Sequence, residues 1–174
     1  QQPRFWAALE APAKEVERHD FALTKVDNDH HVMLAVTDIH LSNQNSDIEQ
    51  FCTRFIPDVR AVAESFGDTP VYSLNMGDSA WDGYWYTNRY SLKDFRRTMN
   101  IVGYPAQMFC AMGNHDNDGA TIHSDSVDWA ASAPYRRIIG PRYYSFNIGK
   151  VHYVVLDNLI YVNSPKKNSK DGIA

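Results

Sequence analysis

Apolar and polar residues come in blocks along the chain, and the spacing within each block separates strands from helices. His31 to Thr37 (His-Val-Met-Leu-Ala-Val-Thr) is a short apolar run of buried-strand length that ends in the polar residues around Asp38-Ile39-His40. Next, Ile48, Phe51, Cys52, Phe55, Ile56, Val59, Val62, Ala63 and Phe66 recur at steps of three and four, which predicts a helix with one apolar face. Ser46 with Glu49 predicts a capping box at its start, and Gly67 its stop. Pro57 predicts a kink, because it removes a backbone donor and crowds the carbonyl four residues back.

A second strand is predicted from Val71 to Met76, ending in Gly77-Asp78. A second helix carries Leu92, Phe95, Met99 and Val102; Ser91 and Asp94 cap it, and Gly103 closes it. A third strand, Gln107 to Met112, runs into Gly113-Asn114-His115-Asp116. Val127 to Ile139 reads as helix interrupted by Pro134. Tyr143–Ile148 and Val151–Leu156 read as a hairpin turning at Gly149. Residues 1–29 read as a lead-in segment, with Phe5, Trp6 and Leu9 at helical spacing, that packs on the domain or on a preceding one. The stretch from Asn163 reads as loop or disorder.

Three strands alternating with two helices predict parallel βαβ units, so the fold class is α/β. The strands are apolar on both faces, which suits a sheet covered on both sides. With 174 residues there is room for one domain. A net charge of −4 gives no electrostatic footprint for nucleic acid, and no apolar run reaches the length of a membrane span. Two cysteines, Cys52 and Cys110, are too few for a disulfide framework and read as small core residues. The chain opens on Gln1 without a signal-peptide apolar region. A targeting segment already removed, or a start inside a longer protein, would each explain this, and the former favours an extracytoplasmic location.

The candidate chemistry sits at three strand ends: Asp38 and His40, then Asp78, then Asn114, His115 and Asp116. In parallel sheets, ligands collect beyond the carboxyl ends of the strands. Oxygen and imidazole donors arriving from three loops suit a divalent transition metal, and a cation would offset the repulsion of carboxylates meeting in one cleft.

Asp38-Ile-His40, Gly77-Asp78 and Gly113-Asn114-His115-Asp116 resemble, in order and spacing, the first three signature blocks of the calcineurin-like metallophosphoesterases. The hairpin Tyr143–Asn147 and Val151–Asp157 is similar to the stretch that follows in that family. The resemblance implies a two-sheet sandwich flanked by helices, with residues 30–174 as the N-terminal part of the domain and about the first half of it present. It implies that Asp38 and His40 bind one of two divalent ions (Mn, Zn, Fe or Mg), that Asp78 bridges both, and that Asn114 binds the second. It further implies that His115 acts as general acid or charge stabiliser, with Asp116 orienting its imidazole.

Two such ions roughly 3.5–4 Å apart polarise a phosphoryl group and hold a bridging hydroxide for in-line attack. The implied activity is hydrolysis of a phosphate mono- or diester on a small molecule or a phosphoprotein. The family's later histidine blocks have no counterpart here, since no histidine follows His152. The missing C-terminal half of the domain is therefore an expected partner, and residues 1–174 alone are expected to be inactive. A noncatalytic scaffold is the alternative reading. Trp81 stands where purple acid phosphatases carry an iron-binding tyrosine, and His40 where they have glycine, which points to the Asp-x-His branch.

Other residues admit blander roles. Tyr84, Trp85 and Tyr86 could line a cleft or pack a core. His123 reads as a solvated loop histidine, His152 as a packed strand histidine, and Arg96-Arg97 and Arg136-Arg137 as helix-face residues. His30 and His31 lie at the wrong end of their strand for the site.

Overall fold

A computed structural model of the chain describes residues 20, 22, 24–122 and 124–162. Phe5, Trp6 and Leu9, His123 and the stretch from Asn163 lie outside the described residues.

Three parallel strands, β1 (Val32–Val36), β2 (Val71–Asn75) and β3 (Gln107–Cys110), form one sheet in the order β1-β2-β3. A second, antiparallel pair, β4 (Tyr144–Ile148) and β5 (Val151–Val155), turns at Gly149, whose φ of +54° suits glycine. Between β1 and β2 the chain is helical from Asp47 to Ser65, as α1 (Asp47–Gln50), a π-helical turn (Phe51–Phe55) and α2 (Ile56–Ser65). Helix α3 (Leu92–Val102) precedes β3, and two short helices, α4 (Val127–Ala131) and α5 (Ala133–Ile138), precede the hairpin.

Most sequence expectations hold, and the exceptions have local causes. Pro57 falls in the first turn of α2, directly after the π turn. The wider π turn takes up the missing donor at Pro57, where a plain kink was expected. The Ser46–Glu49 capping box does not form. The Ser46 hydroxyl instead accepts a hydrogen bond from the Gln50 amide at 2.7 Å. At α3 the Asp94 carboxylate does reach back, accepting the Ser91 N–H at 3.0 Å, and Gly103 ends the helix at φ +60°. Pro134 sits in the first turn of α5, where its lost donor has no helical partner to miss.

The core lies between the helices and one face of the parallel sheet. Leu92, Phe95 and Met99 line the inner stripe of α3 and pack with Phe51, Ile56, Met108 and Tyr135. Burying side chains of this size contributes about 1.5–3 kcal/mol each. The opposite sheet face meets the hairpin through an aromatic stack: Phe146 of β4 lies 3.7 Å from Phe109 of β3 and 5.0 Å from Tyr153 of β5. The two sheets thus face each other as layers. The outer edge of β3 is closed by a side chain rather than a strand. The Tyr144 hydroxyl accepts from Cys110 N–H at 3.0 Å and donates to Cys110 C=O at 2.9 Å.

His31 hydrogen-bonds Tyr153 at 2.7 Å, away from the strand ends that carry the candidate chemistry. His152, expected to be packed, is exposed and bonds Asn147 at 2.7 Å, because odd positions of β5 face the aromatic stack and His152 falls on the other face. Arg136 stacks on the Trp129 ring at 3.4 Å, and Arg96 donates to Ile138 C=O at 2.9 Å, so one arginine of each pair holds a neighbouring element. Cys110 is buried, and burial pushes its thiol up to about 12; Cys52 is half-buried beside the core. Among the described residues no helix is long and apolar enough to cross a membrane.

Candidate metal centre

The loops leaving β1 and β2 continue the pairing of their strands. Asp38 N–H donates to Gly77 C=O at 3.2 Å, His40 N–H to Asp78 C=O at 2.9 Å, and Leu41 N–H to Ser79 C=O at 3.1 Å. Residues 38–41 are therefore fixed against 77–79 before any side chain is considered. Asn75, fully buried at the end of β2, braces the same turn: its amide donates to Ser79 Oγ at 2.9 Å and its oxygen accepts Gly77 N–H at 3.3 Å.

Asp38, His40 and Asp78 all adopt positive φ, at 52°, 46° and 55°. For residues with a Cβ the left-handed region costs about 1–2 kcal/mol each, so three in one cluster are strain held in place by the surrounding pairing. Gly77 has φ +121°, and a Cβ there would approach Gly113 Cα to 2.8 Å. Gly113, by contrast, has an extended backbone at φ −102°. Its lack of a side chain serves close approach instead, since a Cβ on Gly113 would overlap the Asp78 carboxylate and amide.

The structure gathers three of the proposed residues. One ligand atom each from His40, Asp78 and His115 lies within 4.8 Å of the others. His40 Nε2 stands 3.5 Å from Asp78 Oδ2 and 3.6 Å from Asp38 Oδ1. Those separations exceed a hydrogen bond. They match the spacing of about 3.4 Å expected when nitrogen and oxygen each sit roughly 2.1 Å from one tetrahedral cation. Nitrogen and carboxylate donors at that spacing fit a divalent transition ion.

Asp38 is mostly exposed, and the Thr37 hydroxyl bonded to it holds its carboxyl below the usual range. Asp78 is buried, and its Oδ1 accepts the His115 N–H at 2.8 Å, which ties the second strand end to the third. Asn114 opens the short 3₁₀ turn Asn114–Asp116, lies exposed at its start, and accepts a hydrogen bond from Asn117 on its backbone carbonyl.

Asp116 does not meet the His115 ring in the way the sequence suggests. Its carboxylate is wholly buried and accepts three backbone amides: Gly113 and Asp78 on Oδ2 at 2.9 and 3.0 Å, and Ser79 on Oδ1 at 2.9 Å. Burial pushes this carboxyl up to about 7, against the pull of those amides toward its charged form. Asp116 is a brace that locks the Gly77–Ser79 and Gly113 backbones together. The acid on the ring is Asp82, whose Oδ1 lies 2.7 Å from His115 Nδ1. That hydrogen bond raises the His115 pKa, with burial opposing it. Asp82 lies four residues past Asp78 in the same loop, in a short 3₁₀ turn (Asp82–Tyr84), and was missed.

The aromatic loop divides its labour. Trp85 is buried, Tyr84 packs perpendicular to Trp81 with ring centroids 5.2 Å apart, and Tyr86 is exposed but donates to Asp118 at 2.7 Å. Trp81 lies 5.6 Å from the His40 ring and 6.5 Å from the His115 ring.

The family model for calcineurin-like phosphoesterases matches residues 31–172. The chain belongs to the calcineurin-like phosphoesterase family. No curated protein matches it. The match begins at the first residue of the β1 run and includes all three loops of the cluster.

Proposed function

We propose that this calcineurin-like phosphoesterase hydrolyses a phosphate ester at a dinuclear metal centre built on Asp38, His40, Asp78 and Asn114. The observation that carries the reading is the convergence of His40 Nε2 with the Asp38 and Asp78 carboxylates at ion-sized spacing, beside the His115 ring. Divalent ions bound there would polarise the phosphoryl oxygens and activate water.

The chain's own residues supply the rest. Asp78 stands between the β1 loop and the His115 turn, with one oxygen toward His40 and the other on the His115 amide, which suits a bridging carboxylate. His115 has Nδ1 committed to Asp82, so Nε2 is the nitrogen left to meet the reacting phosphate. A raised pKa keeps that imidazole protonated further toward neutrality, as a general acid for the departing ester oxygen requires. Asp82 acts as a positioning residue that fixes ring and tautomer. Asp116 acts one layer further out, on the backbone that carries Asp78.

The test is to measure the metal content of the full protein together with turnover of an aryl phosphate and an aryl phosphodiester. Metal-dependent turnover of either supports the reading, and the preferred ester names the class. A protein that binds divalent ions and turns over neither contradicts it.

A further inference from the structure

Trp81 is held in place without being buried. It lies three residues past Asp78, directly before the turn that supplies Asp82, and it is 42% exposed. Three rings meet it near the perpendicular: Tyr84 at 84°, His115 at 75° and His40 at 70°. Isolated exposed aromatics are ordinary on protein surfaces. This one differs in its neighbours, because two of the three rings, His40 and His115, belong to the candidate site itself.

The surroundings narrow what could use the indole. Asp38, Asp78 and Asp82 are all within the same loop cluster, so the polar side of the site is acidic and Trp81 is its apolar wall. A group attached to a phosphate held beside His40 and His115 would extend over ring surface 5.6–6.5 Å from them. A cation cage needs two aromatic walls separated by the width of the ligand. Tyr84 instead packs directly on Trp81, and the exposed Tyr86 is tied to Asp118, so Trp81 is the loop's platform beside the two histidine rings. A single exposed ring suits stacking with a flat partner.

We propose that Trp81 is a specificity-determining residue that stacks against a planar aryl or heteroaryl group on the ester oxygen of the substrate. The proposal rests on the phosphoester reading above. It makes the substrate an ester of a phenol-like or heteroaromatic group, or one whose flat ring lies next to the phosphate. Tyr84 keeps the indole upright, and the Tyr86–Asp118 hydrogen bond anchors the far end of the same loop.

The test uses phosphonates, which cannot be hydrolysed, titrated calorimetrically into the full protein loaded with manganese. Phenylphosphonate, cyclohexylphosphonate and methylphosphonate separate a flat ring from apolar bulk and from the phosphonate alone. Wild-type protein is expected to prefer phenyl over cyclohexyl by about tenfold, the scale of one aromatic stack. Trp81→Leu, which keeps apolar bulk without a ring face, should reduce that preference to about twofold or less, and Trp81→Phe should restore several-fold of it. An unchanged preference in Trp81→Leu overturns the proposal, as does a Phe variant no better than the Leu variant. So does a wild-type protein that ranks cyclohexyl equal to phenyl. If wild-type protein binds none of the three, the phosphoester reading fails first and takes this proposal with it; binding of methylphosphonate alone sinks the stacking role and leaves that reading standing.

Discussion

Replacing Gly113 by alanine should cost far more than backbone preference alone implies. The residue has extended backbone angles, φ −102° and ψ 176°, that alanine adopts freely. At such positions Gly→Ala usually stabilises a protein by about 0.4–1 kcal/mol. Here the new Cβ would lie 2.9 Å from Asp78 Cγ and closer still to its Oδ1 and amide nitrogen. Neither neighbour can give way cheaply. Asp78 Oδ1 holds the His115 N–H at 2.8 Å, and the Asp78 N–H is held by Asp116 at 3.0 Å. Relieving the overlap breaks at least these two carboxylate hydrogen bonds, each worth about 1.5–3 kcal/mol, for a total of about 3–6 kcal/mol. For a chain of this length that lowers Tm by on the order of 10 °C. The control is Gly103→Ala, where φ is +60° and the space around the Cβ is open, so the left-handed backbone alone costs about 1–2 kcal/mol. Urea unfolding of the full protein, followed by circular dichroism, measures both. A Gly113→Ala midpoint equal to or above that of Gly103→Ala would refute the close-approach account.

Asp82→Asn should keep metal content and lower kcat by about 10- to 100-fold, the usual effect of losing an outer partner of a functional histidine; unchanged kcat would return the orienting role to another residue. Arg142→Gln should destabilise by about 3–5 kcal/mol in urea titration, because it leaves the buried Asp157 without its 2.5 Å partner. The same variant should unfold at higher pH on acid titration. Burial alone would raise the Asp128 pKa, but the Arg142 and Tyr161 hydrogen bonds bring it below the usual carboxylate value. Its stabilisation is thus complete above that ordinary value and is lost as pH falls through the depressed one; an acid midpoint unmoved by Arg142→Gln would show that the pair contributes nothing.

Strand ends and helix faces were legible because they depend on local pattern. The βαβ order, the hairpin at Gly149, the α3 cap at Ser91–Asp94 and the break at Pro134 all follow from spacing and turn chemistry that the sequence displays directly. The cluster of His40, Asp78 and His115 was legible for the same reason, since parallel strands bring their carboxyl ends together whatever lies between. What could not be read is what depends on approach across the fold. Asp116 and Asp82 are both acids close to the site in sequence, and only three-dimensional placement decides which one faces the His115 ring. Asn75 carried a faint signal, a polar residue at a strand end two positions before Gly77, but its bracing role needs the turn that it supports. The π turn before Pro57 was likewise invisible, because a proline inside a helical pattern signals a disruption without saying which.

In the proposed site Asp78 holds metal and His115 acts on the phosphate. Metal stoichiometry of the full protein, measured by elemental analysis for wild type, Asp78→Asn and His115→Asn alongside turnover of an aryl phosphate, tests it most directly. Asp78→Asn should lose or weaken both ions, because the proposal makes its carboxylate the shared one. His115→Asn should keep its metal while kcat falls by about 10²–10⁴-fold, with a poorer alkoxide leaving group suffering more than an activated aryl one. If His115→Asn loses metal while Asp78→Asn retains both ions, the proposed division of labour is wrong.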